Sequence, residues 1–142
     1  MSLNKIDEIL EQRKRIEQPT TPAVQQKRQE DKFYSILLGD GMEEKFLELQ
    51  FRDGLRLCLN YNDLLWFHHI PDEHCIDMEF AGFLISIKGR GMVPHLFNGL
   101  KQKKVSWIKE ADVEMQDHLA NTTYIETITV IPPKGFSAEE EN

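Results

Sequence analysis

The alternation of apolar and polar residues between positions 47 and 61 is the feature that most constrains the fold. Apolar side chains recur at every second position on either side of Asp53-Gly54: Leu47, Leu49, Phe51, Leu55, Leu57, Leu59 and Tyr61. A period of two is typical of a β-strand with one buried face, and Asp-Gly between two such strands is a strong hairpin signal. We therefore predict a β-hairpin here, within an antiparallel sheet.

Further segments also have the composition of strands. They cover residues 64–69, 76–80, 83–88, 105–109 and 122–131. The first is apolar almost throughout, so we predict that it is covered on both faces. A helix over residues 94–102 offers Leu96, Phe97 and Leu100 to the sheet. The predicted fold class is α+β: a bent antiparallel sheet or small open β-barrel of about six or seven strands, with one packed helix.

Residues 1–32 are predicted to form an N-terminal helical arm. Apolar residues at three- and four-residue spacing predict an amphipathic helix over residues 3–17, and Pro19 and Pro22 interrupt it. A second helix is predicted over residues 23–38, ended by the glycine-containing turn at 39–41. The single core domain is placed at residues 33–133, and the acidic tail, residues 134–142, is predicted to be disordered.

The composition limits the classes of partner. A formal charge of −7 argues against generic nucleic-acid binding, which needs a basic surface to neutralise phosphates. The longest apolar runs are far shorter than the roughly 20 residues that cross a bilayer, and the N-terminus has no apolar signal-peptide segment. We therefore expect a cytoplasmic protein that does not enter a membrane. Cys58 and Cys75 are expected to be free thiols, because two cysteines make no disulfide framework.

A basic, glycine-marked turn is predicted where the strand at 83–88 meets the helix at 94–102. Backbone N–H groups and the positive end of a helix dipole favour phosphate or carboxylate at such a turn, and a guanidinium adds paired hydrogen bonds. Lysines at the end of the helix form, together with Lys88 and Arg90, the only basic concentration in the predicted core domain. The candidate anion-binding residues are Lys88, Gly89, Arg90, Gly91, Lys101 and Lys104. The alternatives are glycines required by the turn geometry and lysines on a solvated helix end.

Three histidines and a cysteine, His68, His69, His74 and Cys75, lie within eight positions of one another. Imidazole and thiolate both bind zinc. Adjacent histidines in a strand point to opposite faces, however, so only one of His68 and His69 can join a common site. No C-x-x-C or H-x-x-x-H pair occurs, and we predict neither a metal site nor a cofactor. The alternatives are a polar loop that contains histidines and a dimer interface that responds to pH.

The segments LELQFRDGLRLCLNYND and ISIKGRG are similar to the two sequence motifs of the Sm-like RNA-binding family. The resemblance implies a small barrel preceded by a helix, with an Asp-Gly hairpin ahead of a turn that pairs a basic residue with glycine. The chain departs from that family in two respects. The base-contacting asparagine has no clear counterpart after Asp63, and a helix is predicted after Lys88-Gly89 where the family has its last strand. We therefore assign the chain to no family on this resemblance.

Sequence motifs for catalysis are missing: there is no nucleophile elbow, no H-E-x-x-H, and no serine or cysteine in an activating local context. Glu48, Arg56 and Cys58 occupy polar positions of predicted strands, where a solvent-facing role is simplest. We expect a non-catalytic protein-interaction or self-assembly module that binds another protein or another copy through the arm or an exposed sheet edge. The alternative is a small barrel that binds an anionic ligand or single-stranded nucleic acid through residues 88–91 and 101–104.

Overall fold

The computed structural model describes residues 27–114 and 122–135. Within them the chain forms nine strands, a π-helical turn at Val93–Phe97 and one short helix, α1, at Asn98–Lys101. The strands are β1 (Arg28–Glu30), β2 (Tyr34–Leu37), β3 (Phe46–Gln50), β4 (Arg56–Asn60), β5 (Leu64–Ile70), β6 (Cys75–Phe80), β7 (Phe83–Arg90), β8 (Val105–Lys109) and β9 (Tyr124–Ile131). Short 3₁₀ turns at Tyr61–Asp63 and Pro71–Glu73 flank β5.

The strands are divided between two sheets. One has five strands in the order β1-β2-β8-β3-β4, and the other has four in the order β5-β6-β7-β9. Neighbouring strands are antiparallel except β3 and β8, which run parallel. Across the described residues neither sheet closes into a barrel. The α+β character with antiparallel sheets and one short helix is confirmed, but the prediction of a single bent sheet or small barrel is wrong.

The core lies between the two sheets, where the inward-facing side chains of both form one cluster. Its fully buried members include Leu47, Leu49 and Ile108 from the five-stranded sheet and Ile76, Met78, Ile85, Ile87 and Ile125 from the four-stranded sheet. Leu96 and Leu100 of the helical segment join the same cluster. Burying one such side chain stabilises a fold by about 1.5–3 kcal/mol, so this cluster is the main source of stability.

The hairpin predicted from the Asp-Gly signal is confirmed. β3 and β4 pair antiparallel along their whole length, from Phe46 opposite Asn60 to Gln50 opposite Arg56. Gly54 has a φ of +95° and donates its N–H to the carbonyl of Phe51 at 2.9 Å. The five other predicted strands are present as β5 to β9, with ends that differ by a few residues.

The helix predicted over residues 23–38 is wrong in its second half. Residues 28–30 and 34–37 are the strands β1 and β2, and β2 pairs with β8. Every residue from Phe33 to Leu37 is buried. A short run that is buried on all sides has the same apolar pattern whether it is a strand or a helix, so periodicity alone does not separate the two. The predicted helix at 3–17 and the tail beyond residue 135 lie outside the described residues.

The segment predicted as a helix over 94–102 is helical, but it begins as a π-turn. Phe97 donates its N–H to the carbonyl of Met92 at 2.8 Å, five residues earlier. Gly99 follows in α1, where a Cβ atom would lie 2.9 Å from the side chain of Val105. Glycine therefore lets this helical segment approach β8 closely, although it weakens an isolated helix.

Candidate functional site

Lys88, Gly89 and Arg90 are the last three residues of β7 and do not form the predicted turn. Their strand pairs with β6 on one side and β9 on the other. Gly89 donates its backbone N–H to the carbonyl of His74 at 2.9 Å. One backbone donor that an anion would need is therefore already used, because the segment forms sheet. Anion binding by these residues stays a prediction.

The two glycines of this segment lie where β7 meets the start of β9. A Cβ atom at Gly89 would lie 2.1 Å from the carbonyl oxygen of Tyr124, and one at Gly91 would lie 2.6 Å from that of Thr122. Gly91 also has a φ of +67°, a backbone conformation that residues with a Cβ atom rarely adopt. The hydroxyl of Thr123 donates to the carbonyl of Gly91 at 2.6 Å. Close approach of two backbones thus explains both glycines.

The lysines of the predicted anion site lie at the end of α1, with Lys101 as its last residue and Lys104 three residues later. The Lys101 ammonium lies 5.6 Å from the centre of the Phe97 ring. The Lys104 ammonium donates to the carbonyl of Gly39 at 2.5 Å. The six predicted residues therefore fall into two groups, one at the start of β9 and the other around α1 and the segment that follows β2.

The histidines and the cysteine near β5 are dispersed by the sheet. His68 lies opposite Asp77, with its Nε2 3.8 Å from the carboxylate, whereas His69 lies opposite buried Ile76 on the inner face. Cys75 is buried, and burial, followed by the nearby carboxylate of Asp77, raises the pKa of its thiol. A protonated, buried thiol is a poor nucleophile and a poor metal ligand.

Glu110 is a buried carboxylate, and such groups often serve in catalysis. Its two oxygens are already occupied. Oε1 accepts the backbone N–H of Arg52 at 2.8 Å, and Oε2 accepts that of Ile128 at 2.9 Å. The carboxylate therefore joins the segment after β3 to β9, across the two sheets. This arrangement gives Glu110 a structural role.

β5 is an edge strand of the four-stranded sheet. The prediction that both of its faces are covered is wrong, because Trp66 and His68 on the outer face are exposed. It pairs only with β6, so its second edge is free of strand partners among the described residues. A register shift between Leu64 and Trp66 leaves Leu65 without an opposite residue. Leu65 is 66% exposed and Trp66 is 40% exposed. The strand, LLWFHHI, contains no Asp, Glu, Lys, Arg or Pro.

The other sheet edges are shorter or partly covered. Beyond β7, residues of β9 are contacted by the chain that follows β8: Ala111 donates its N–H to Ile125, and Glu110 accepts that of Ile128. β1 has three residues, two of them charged. β4 has five residues and begins with exposed Arg56. β5 is thus the long, uncovered and uncharged edge in the part of the chain that the structure describes.

A row of three exposed apolar side chains and one carboxylate crosses the outer face of the four-stranded sheet and ends at β5. Trp66 lies opposite Glu79, Glu79 opposite Leu84, and Leu84 opposite Ile131. Leu84 and Ile131 are exposed, the latter by 55%. The Trp66 indole donates to Glu79 Oε1 at 2.9 Å and lies 5.1 Å from the His68 ring, so it is held in place. We call the free edge of β5 together with Leu65, Trp66, Leu84 and Ile131 the β5 surface.

The sequence predicts the β5 surface only in part. It shows that residues 64–70 carry no Asp, Glu, Lys or Arg, and it predicts that some strand of the sheet has an exposed edge. The run alone does not show which strand lies at the edge, because that depends on the order in which distant strands pair.

Comparison with family models, with curated proteins and with solved structures finds no significant match for this chain. No helix in the described ranges is long and apolar enough to span a membrane. No group of three or more His, Cys, Asp or Glu side chains within residues 27–114 and 122–135 is arranged to hold a metal ion.

Proposed function

We propose that this protein is a non-catalytic self-assembly module in which two copies pair along the free edges of β5. The observation that carries the proposal is a seven-residue edge strand with no charged residue and no proline, beside exposed Leu65 and Trp66. Proteins commonly block free edges with lysine, proline, a β-bulge or a covering segment. In β5 the register shift is confined to Leu65, so the regular part from Trp66 to Ile70 is suited to strand addition, in which main-chain hydrogen bonds join two sheets.

A second copy fits this edge because the strand is complementary to itself. In antiparallel pairing centred on Phe67, Trp66 of one copy lies opposite His68 of the other, and Leu65 lies opposite His69. With the histidines neutral, no like charges face one another in this pairing. The chain as a whole carries −7, so two copies repel over most of their surfaces. An uncharged strip is where they can meet at least electrostatic cost.

The side chains beside the edge add affinity to the main-chain bonds. Tryptophan is enriched among interface residues whose removal costs about 2 kcal/mol or more. Trp66 is already oriented by its hydrogen bond to Glu79, so little rotamer freedom is lost when it becomes an interface residue. Leu65 stands at the edge itself, and its burial by a second copy removes an exposed apolar side chain from water.

The test is the molar mass in solution, measured by light scattering after size-exclusion chromatography. Wild-type protein is expected to be a dimer, and Leu65→Lys a folded monomer, since a lysine at the edge opposes strand addition. Leu55→Lys is the matched control, because Leu55 is 60% exposed but lies in the β3–β4 turn. It is expected to remain dimeric.

Far-ultraviolet circular dichroism of all three proteins is the folding control, and the three spectra are expected to coincide. A monomeric wild type would contradict the proposal. So would a Leu65→Lys protein that stays dimeric, because the contact would then lie elsewhere on the chain.

A further inference from the structure

The edge strand β5 contains two imidazoles, those of His68 and His69, and no other ionisable side chain. Histidine ordinarily becomes charged as the pH falls through about 6.5. Two copies that pair along β5 bring four imidazoles to one strip. This strip is uncharged only while the imidazoles are neutral.

The two histidines lie on opposite faces of the sheet, and His68 has negative groups beside it. It is exposed on the outer face, where its Nε2 atom lies 3.8 Å from the carboxylate of Asp77. Its ring lies 5.1 Å from that of Trp66, whose indole donates to the carboxylate of Glu79. These groups balance a proton on His68 in a single copy as well as in a pair. The charge of His68 therefore has little effect on pairing.

His69 lies on the inner face among apolar groups. It is opposite buried Ile76 of β6, and its ring lies 6.3 Å from that of Phe97 in the helical segment. Phe97 also packs edge-to-face against Phe67, with 5.1 Å between the ring centres. His69 is half-buried, and no described residue forms a hydrogen bond or an ion pair with its imidazole.

The helical segment offers no counter-ion to a proton on His69. The Lys101 ammonium lies 5.6 Å from the centre of the Phe97 ring that also contacts His69, and it is itself positive. His95, two residues before Phe97, is a further imidazole and stacks on Tyr34 at 6.3 Å. Neither group can balance a positive charge.

The described parts of β6 and of the turn after β5 do not supply a counter-ion either. The carboxylate of Asp77 in β6 lies on the outer face, away from His69. Asp72 and Glu73 in the turn are exposed, and neither forms an ion pair with His69. The turn ends at His74, another imidazole. A positive charge on His69 is therefore stabilised chiefly by water.

Pairing of two copies removes part of that water. When the strands are centred on Phe67, Leu65 of the other copy lies opposite His69. Leu65 is 66% exposed in a single copy, so its side chain is free to cover the imidazole. A charged imidazole beside it loses hydration and gains no counter-ion, so the dimer favours the neutral form.

We propose, as a consequence that rests on the β5 pairing proposed above, that acidification separates the two copies through protonation of His69. Because the dimer favours neutral imidazole and the single copy accepts the proton, pairing is fully present above about pH 6.5 and is lost as the pH falls below it. At about pH 5.5, keeping one imidazole neutral costs about tenfold in the association constant. A dimer contains two such imidazoles, so the Kd is expected to rise about a hundredfold.

The experiment is sedimentation equilibrium of the full-length protein at about pH 7.5 and about pH 5.5, which gives the Kd of the dimer at each pH. Carboxyl groups ordinarily titrate near pH 4, about one unit or more below this range, so the imidazoles are the groups that change. High salt in both buffers screens the long-range repulsion between two chains of net charge −7. The loss of hydration at His69 is not screened in this way.

Three variants separate the two histidines. His69→Gln keeps a polar side chain that does not titrate, and its Kd is expected to be the same at both pH values. His69→Leu also lacks a titrating group and is expected to be equally insensitive to pH. His68→Gln, one residue away on the outer face, is the matched control and should lose affinity in acid as the wild type does.

The proposal is overturned if the wild-type Kd is unchanged in acid, or if both variants at position 69 lose affinity there as the wild type does. It is also overturned if His68→Gln removes the pH dependence, or if circular dichroism shows that acid unfolds the wild type. A wild type that is monomeric at about pH 7.5 refutes the pairing of β5 itself. A dimer that persists in acid refutes the role of His69 and leaves the pairing intact.

Discussion

Gly89→Ala tests the close approach of β7 and β9. Among the described glycines, Gly89 is the one whose added Cβ atom would come nearest to another atom. The added Cβ atom would lie 2.1 Å from the carbonyl oxygen of Tyr124 and 3.1 Å from the Cα atom of Ile125. Both are backbone atoms of β9, so no side-chain rotation can relieve the overlap. Either β9 moves away from β7 or the strand ends separate.

The structure sets the size of the effect. Forcing one extra carbon into a packed site costs about 1–3 kcal/mol, and more when the surroundings cannot move. We therefore expect Gly89→Ala to lower the free energy of unfolding by about 3 kcal/mol or more. Gly41→Ala is the control: its φ is +75°, but nothing lies within 4 Å of the added Cβ atom. It should cost only about 1–2 kcal/mol, the price of a left-handed backbone conformation.

The assay is urea unfolding followed by far-ultraviolet circular dichroism. With a denaturant slope of about 2 kcal/mol per molar, a loss of about 3 kcal/mol lowers the midpoint by roughly 1.5 M. Gly89→Ala must be clearly less stable than Gly41→Ala. If the two variants are equally stable, or Gly89→Ala is the more stable one, then the approach of β7 to β9 does not explain this glycine.

Two further predictions concern side chains that resemble catalytic groups. Iodoacetamide should modify only exposed Cys58 in the native protein. Cys75 should react only in denaturant, because its thiol is buried and the pKa of that thiol is raised. Two adducts found by mass spectrometry under native conditions would count against this. Glu110→Ala should lower the free energy of unfolding by about 3 kcal/mol, since it leaves two backbone N–H groups unpaired. Exposed Glu126 is the control, and urea midpoints of Glu110→Ala and Glu126→Ala that agree would refute the structural role of Glu110.

Local pattern was sufficient to predict the hairpin of β3 and β4 and the strands that follow it. Those segments alternate or are rich in β-branched residues, and their nearest partners are close in sequence. The strands at 28–30 and 34–37 could not be predicted from local pattern. β1 is polar and short, and β2 is buried at every position, so neither has a period of two. The strand character of β2 comes from pairing with β8, about seventy residues later, as Tyr34 opposite Ile108 shows. β1 pairs in turn with β2.

The division into two sheets has the same origin. β3 runs parallel to β8, and this pairing places Leu49 opposite Ile108. Nothing in the local sequence of either strand indicates it. The same non-local order decides that β5 lies at an edge, so Leu65 and Trp66 are exposed although their neighbours in sequence are apolar. The basic segment at 88–91 was predicted as a turn from its glycines, whereas Gly89 is required by the contact with β9.

Amide hydrogen exchange at several protein concentrations tests the pairing of β5 most directly. If two copies join along this edge, the amides of Leu64–Ile70 should become more protected as concentration rises, because dimer formation covers the free edge. The amides of β1, at an edge of the other sheet, should exchange at the same rate throughout. Protection of β5 that does not depend on concentration, or a concentration effect confined to β1, would contradict assembly through β5.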